Sequence, residues 1–477
     1  MVRIAKAKRP VVLGAPDGRI TPRGGLQLVA KLDELVGISA VIDDGNHGFK
    51  VRCRGLTLGG LMVSLAETML AGGDFFCDLD HQRADRAGVG VRAVPGIPPR
   101  TTAIGLGRRF TAEVASQLET ANGRLVRDVF ARLPAGRREK LVSTRPTIDL
   151  DPTDIEVYGR KKEGSDFNYQ GQRVYRSHPA VWAETGWVLA ADFGSGRSDP
   201  RTQAASLLTR AVAALPDGLG RPIIRGDSGF FDHKIADAAL EVGADYAIAV
   251  KRTGPVWRSE RKIPVANWEK ARGMNAEVAE CDYVPAGWPP GARTICRRVM
   301  VTADDLSTDP RSRRRRTIDP NQLALLEAGV GAHAWAYSFL ITNLDGSAVE
   351  IEAWFRKRAL IEETIKDSKL GLALRHMPSG YQNVNTMWMW AALLAVNLSS
   401  WLQALTGHDT AIDPLSRRKR RRGRVHGKRL RRDLICVPTR ITTHAGRIEV
   451  HCSPEDHHGP FGDAWRTLDQ LLVGASP

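Results

Sequence analysis

Phe355-Arg-Lys-Arg-Ala-Leu-Ile-Glu362-Glu-Thr-Ile-Lys-Asp-Ser-Lys369 is the stretch whose reading decides the fold. Ile351, Trp354, Phe355, Leu360, Ile361 and Ile365 place apolar residues near helical spacing, and no Gly or Pro interrupts, so the spacing predicts one helix. Arg358 precedes Glu362 by four residues and Lys369 follows it by seven, which puts all three on one face. A salt-bridge-laced, solvated helix has this look. So does a carboxylate that holds a metal ion while its basic neighbours hold phosphates. The rest of the chain has to separate the two.

The charge balance favours the second. Of 477 residues, 69 are Lys or Arg and 53 are Asp or Glu, a net charge of +16. An excess of that size points to a polyanionic partner, most simply nucleic acid. It is concentrated at Arg311–Arg316 and Arg417–Arg432, the latter a basic stretch suited to phosphate binding. No apolar run reaches the ~18 residues of a membrane span, and the N-terminus lacks an apolar signal core. Six scattered cysteines with no Cys-x-x-Cys pair suit reduced thiols. The expectation is a cytoplasmic, nucleoid-associated protein with no membrane partner.

Upstream of about residue 140 the pattern is helical. Leu28, Leu32, Leu35 and Val36 form one stripe, Thr57 can cap a second helix, and a third runs from about Thr111 to Leu133. After Pro146 the pattern becomes α/β. Strands are expected at Thr147–Asp151, Tyr175–Trp182, Trp187–Phe193, Pro222–Asp227 and Tyr246–Val250, with helices at Thr202–Leu215 and His233–Val242. Strand-like runs between Pro/Gly turns make 254–333 a β-rich insertion. Ala334–Thr342 is then a clear strand, and Asn385–Leu405 a strongly apolar helix that should pack across the sheet. Beyond it come the basic run, one strand at Thr439–His451 and a short helix at Ala464–Leu472.

Asp151 and Asp227 each end an expected strand. If those strands are neighbours, both side chains reach the sheet edge where α/β folds place ligands, and Glu362 can join them. Three carboxylates in one place repel one another and would hold a proton. Divalent cations relieve this, and a pair about 3.5–4 Å apart is a known solution for phosphodiester chemistry.

Phe355-x₂-Arg358-x₃-Glu362-x₆-Lys369 resembles the Tyr-x₂-Arg-x₃-Glu-x₆-Lys signature of IS4-type DDE transposases. With Asp151-Pro-Thr153 and Arg225-Gly-Asp227-Ser-Gly-Phe-Phe231, the chain resembles the IS1380 family of bacterial insertion sequences, from about residue 20 to 470. The resemblance implies an RNase H-like catalytic domain at 141–410 with the insertion at about 254–333. A helical DNA-end-binding domain would precede it at 1–140, and a basic region follow at 411–477. It also implies Asp151, Asp227 and Glu362 as catalytic metal ligands for two Mg²⁺ (or Mn²⁺) ions, and Arg358 and Lys369 as contacts to DNA phosphates. The partners implied are double-stranded DNA, as terminal inverted repeats and target, and a second copy of the chain in a synaptic dimer. The activity implied is cut-and-paste transposition. Phe355 departs from the pattern, since Phe cannot donate the hydrogen bond a phenol would. Asp149, on the same strand face as Asp151, is the alternative first ligand. The competing function is a catalytically silent, sequence-specific DNA-binding protein of the same ancestry.

Overall fold

The computed structural model describes residues 12–46, 49, 55–94, 96–273, 275–306, 309, 315–411 and 423–475. Most of the Arg311–Arg316 cluster and Arg417–Arg422 therefore lie outside the described residues. Three long helices lead the chain: α1 (Gln27–Val36), α2 (Leu58–Leu70) and α3 (Ala112–Ala131). Thr57 and Thr111 cap α2 and α3 by accepting from the backbone N–H of Gly60 and Val114. Gly37 ends α1 with φ of 64°, a left-handed cap that glycine adopts without strain.

The sheet follows, with β1 (Thr147–Leu150), β2 (Thr153–Glu156), β3 (Arg173–Trp182) and β4 (Trp187–Ser195). Next come α4 (Pro200–Ala214), β5 (Ile223–Gly226), α5 (His233–Glu241) and β6 (Asp245–Ala249). Two strands longer than two residues, β7 (Glu277–Cys281) and β8 (Arg293–Thr302), fall in the stretch read as β-rich, and β9 is His333–Thr342. The last elements are α6 (Ala348–Phe355), α7 (Ala359–Gly371), α8 (Gln382–Thr406), the hairpin β10 (Thr439–His444) and β11 (Arg447–His451), and α9 (Pro460–Ala475).

In space β1 pairs antiparallel with β3 and β3 with β4, while β1, β5 and β6 run parallel. Antiparallel β9, β8 and β7 extend the same sheet beyond β6, so the strands of 277–302 continue the sheet rather than form a separate one. Buried α8 packs against α2, α3 and β4, and one hydrophobic core runs from the leading helices through the sheet to α9. A register shift between Ala180 and Val181 leaves Leu189 opposite no residue of β3, so the Val188–Leu189 backbone draws on side-chain partners. Two buried asparagines supply them. Asn122 donates to both carbonyls, and Asn397 accepts from Val188 N–H at 2.8 Å.

Two expectations change. The helix expected over 355–369 is broken, with a 3-10 turn at Arg356–Arg358 between α6 and α7. Side-chain ties meet at the break. Arg225 takes the Trp354 carbonyl at 3.0 Å, Arg356 turns back to Glu352, and Arg358 turns to Asp151. The strand expected over 439–451 is a hairpin, because Ala445 (φ 48°) and Gly446 (φ 76°) form a left-handed two-residue turn.

Candidate active site

The register of the parallel strands sets the site. Asp149 is opposite Arg225 and Leu150 opposite Gly226, so Asp151 and Asp227 both lie one residue past the last pair, side by side at one sheet edge. Asp149 is fully buried in a two-bond ion pair with Arg225, at 2.6 and 2.8 Å. Arg225 also lies over the Trp354 ring, 5.0 Å from its centroid. This one guanidinium ties β1 and β5 to the end of α6 and so fixes where α7 starts. Sequence reading missed that role, although Arg225 stood in the Arg-Gly-Asp stretch it singled out.

Asp151, Asp227 and Glu362 line a single cleft of about 630 Å³, together with Phe355 and Arg358. Glu362 is exposed on α7, whose Ile361, Ile365 and Ser368 are buried. Asp151 Oδ1 accepts from Arg358 Nη2 at 2.8 Å. Burial, with the charges of Asp227 and Glu362, pushes the Asp151 carboxyl up to about 6, against the pull of Arg358. Asp227 Oδ1 accepts from Gly229 N–H at 2.7 Å and caps the 3-10 turn at Ser228–Phe230, so this aspartate is a turn cap as well as a cleft residue. Phe355 packs partly buried against a second, smaller core formed under α6. Lys369 sits two turns below Glu362 and donates to the Asp154 carbonyl at 2.7 Å. Burial draws its ammonium below its ordinary value, opposed by the charges of Asp154 and Asp151.

Residues 4–458 match the family model described as transposase DDE domain, group 1. The chain belongs to that family. No curated protein sequence matches it. Among solved structures, the cryo-EM piggyBac transposase synaptic complex with hairpin DNA aligns at a TM-score of 0.41 and 9% identity. The alignment covers 85% of this chain and 79% of that one, a likeness too remote to assign anything here. This DDE-domain chain has no helix among its described residues long and apolar enough to cross a membrane.

Among the described residues, no three His, Cys, Asp or Glu side chains are drawn together tightly enough to hold a metal ion as they stand. Physically this follows from the charges. Uncompensated carboxylates repel, and Arg358 holds one oxygen of Asp151. The donor set still fits a hard divalent cation: carboxylate oxygens in one cleft, one of them partly buried with a raised proton affinity. Four further arginines line the cleft: Arg316, from the cluster the sequence singled out, Arg356, from the quoted helix stretch, and Arg252 and Arg297, to which sequence reading gave no role. Isolated arginines in a basic chain carry no pattern. Only the folding of β8 and β9 onto the sheet brings them to the carboxylates.

The basic C-terminal stretch is partly structural. Arg424 donates to Thr364 on the back of α7 at 2.7 Å, Gly427 N–H to Asp367 at 2.8 Å, and Arg431 to the Gly371 carbonyl at 2.7 Å and the Leu70 carbonyl at 2.8 Å. These two arginines serve the protein's interior, whereas the sequence reading had them on a phosphate-binding tail.

Proposed function

We propose that this chain is a DNA transposase that cleaves the inverted-repeat ends of an insertion sequence of the IS1380 type and transfers the freed strand to target DNA. The observation that carries the proposal is the register Leu150↔Gly226, which sets Asp151 and Asp227 side by side in the cleft that Glu362 also lines. Support for an RNase H-like catalytic region at 141–410 comes from the strand order β4-β3-β1-β5-β6, an antiparallel meander followed by two parallel crossovers. The helical region 1–140 is assigned to DNA ends and 411–477 to a basic flank.

In this reading Asp151, Asp227 and Glu362 would hold two Mg²⁺ or Mn²⁺ ions, which would supply charge stabilisation at the scissile phosphate and a more acidic attacking group. Arg358 neutralises Asp151 in the free protein and turns to a DNA phosphate when substrate enters. Lys369 supplies positive charge beside Asp151 from two turns below. Hydrolysis at the element's end frees a 3′-OH, which then loses its proton and attacks a phosphodiester of the opposite or target strand in the same cleft, displacing that strand's 3′-oxygen as a new 3′-OH. Two chains would hold the two ends together.

The test is strand cleavage, with Mg²⁺, on a duplex carrying the DNA that flanks the coding region. Nicking at the element boundary, abolished by Glu362→Gln, is expected. Binding to that duplex with no product at any Mg²⁺ concentration would indicate the catalytically silent DNA-binding protein instead.

A further inference from the structure

The connection between β2 and β3 holds three large aromatic side chains out in water, Tyr158 at 86%, Phe167 at 53% and Tyr169 at 88% exposure. A single exposed ring is ordinary, whereas several on one short connection mark a contact surface. Arg160 and Lys161, on the same connection, are exposed as well. Exposed rings interleaved with basic residues are the composition on which unpaired nucleic-acid bases stack. Tyr169 lines the cleft that holds Asp151, Asp227 and Glu362. The turn that carries it is braced. Asn168 is 7% exposed, and its Oδ1 accepts from the N–H groups of Gln170 and Gln172, both at 3.0 Å. Its Nδ2 donates to Asp154 Oδ2 at 2.9 Å, an oxygen that Arg176 of β3 also holds, from Nη2 at 3.0 Å. Gly171, with φ of 77°, closes the turn. A ring presented on a braced turn loses little freedom when something stacks on it.

We propose that Tyr169 is a stacking platform for an unpaired base of the DNA strand that enters the cleft, with Arg160 and Lys161 adding positive charge for its backbone. In a paired duplex each base face is covered by its neighbours. The ring therefore takes a base at a strand end or beside a break in pairing. The Tyr169 hydroxyl accepts from Gln170 Nε2 at 3.1 Å, and the contact proposed uses the ring face and not the hydroxyl. The proposal rests on the nucleic-acid part of the reading above and not on cleavage.

The experiment is metal-free binding of the full chain to fluorescein-labelled flanking DNA, read by anisotropy. Three forms are compared: a blunt duplex, the same duplex with a short thymidine overhang (3′ or 5′) at the element boundary, and that duplex with the overhang made abasic. Wild type is expected to bind one of the overhang duplexes about tenfold more tightly than the blunt one, and to lose that gain when the overhang is abasic. Tyr169→Ala should remove the gain and leave the blunt duplex bound as in wild type. Tyr169→Phe and Tyr169→Trp should keep it. Wild-type binding indifferent to the overhang, a gain that persists in Tyr169→Ala or with the abasic overhang, or one lost as fully with Phe as with Ala, would overturn the site while the blunt duplex is still bound. A wild-type chain that binds none of these DNAs would overturn the nucleic-acid reading itself, and this site with it.

Discussion

Asp149 and Asp151 stand two residues apart and meet opposite circumstances. Asp149 is sealed against Arg225 in a buried pair. Removing one partner of such a pair strands a buried charge, so Asp149→Ala should lower stability by about 3–5 kcal/mol in denaturant unfolding. Asp151 faces the cleft with its carboxyl raised to about 6 from an ordinary 3.8. Its folded-state proton affinity exceeds the unfolded one, so metal-free stability falls as pH rises from about 4 through 6, and the loss is complete above that. Asp151→Asn should therefore raise the melting temperature of the metal-free protein at pH 8, with little effect near pH 4. A rise of equal size at both pH values would contradict the raised carboxyl. From sequence both aspartates lie on one strand face, and only the strand-end position of Asp151 in Asp-x-Thr favours it over Asp149. Their separation depends on Arg225, 76 positions from Asp149 in the chain and opposite it in the sheet.

Among the elements, periodicity was enough for the three long helices of the leading region, for the strands that lead into Asp151 and Asp227, and for α8, but not for the shorter helices such as Ile38–Asp44 and Arg100–Gly107 or for β2. It failed where tertiary ties override local preference, as at the Arg356–Arg358 turn, where Arg225, Glu352 and Asp151 each claim a neighbouring group. The bulge in β4 shows the same limit, since Asn397 reads as a polar interruption of an apolar helix. In the structure it accepts from Val188 N–H and donates to the Val188 carbonyl at 3.0 Å. Asn397→Leu removes both bonds and leaves a buried N–H unpaired, so it should cost about 2–3 kcal/mol by thermal or urea unfolding. A neutral substitution would mean that the bulge is supported by other contacts.

For the molecule as a whole, composition announced the class of partner and not the arrangement. The net charge of +16 predicts DNA binding that weakens steeply with salt, with a slope of about −0.9 per phosphate neutralised. A flat salt series would contradict it. Neighbouring strands were not legible, because parallel pairing of β1 with β5 is a long-range choice that no local pattern encodes. Nor was the continuity of the core, in which α2 and α3 pack on α8 and so on the sheet. Deleting residues 1–140 should therefore abolish cooperative unfolding of the remainder. A truncated chain with a sharp melting transition would show two independent cores.

The central claim is that Asp151, Asp227 and Glu362 share one metal site. Binding of Mn²⁺ to the full chain, followed by electron paramagnetic resonance at pH 8, tests it without reference to cleavage. The account predicts saturable Mn²⁺ binding that Asp151→Asn, Asp227→Asn and Glu362→Gln each weaken at least tenfold, about 1.4 kcal/mol, while the far-ultraviolet circular dichroism of each variant stays as in wild type. Mn²⁺ affinity unchanged in all three variants would contradict it.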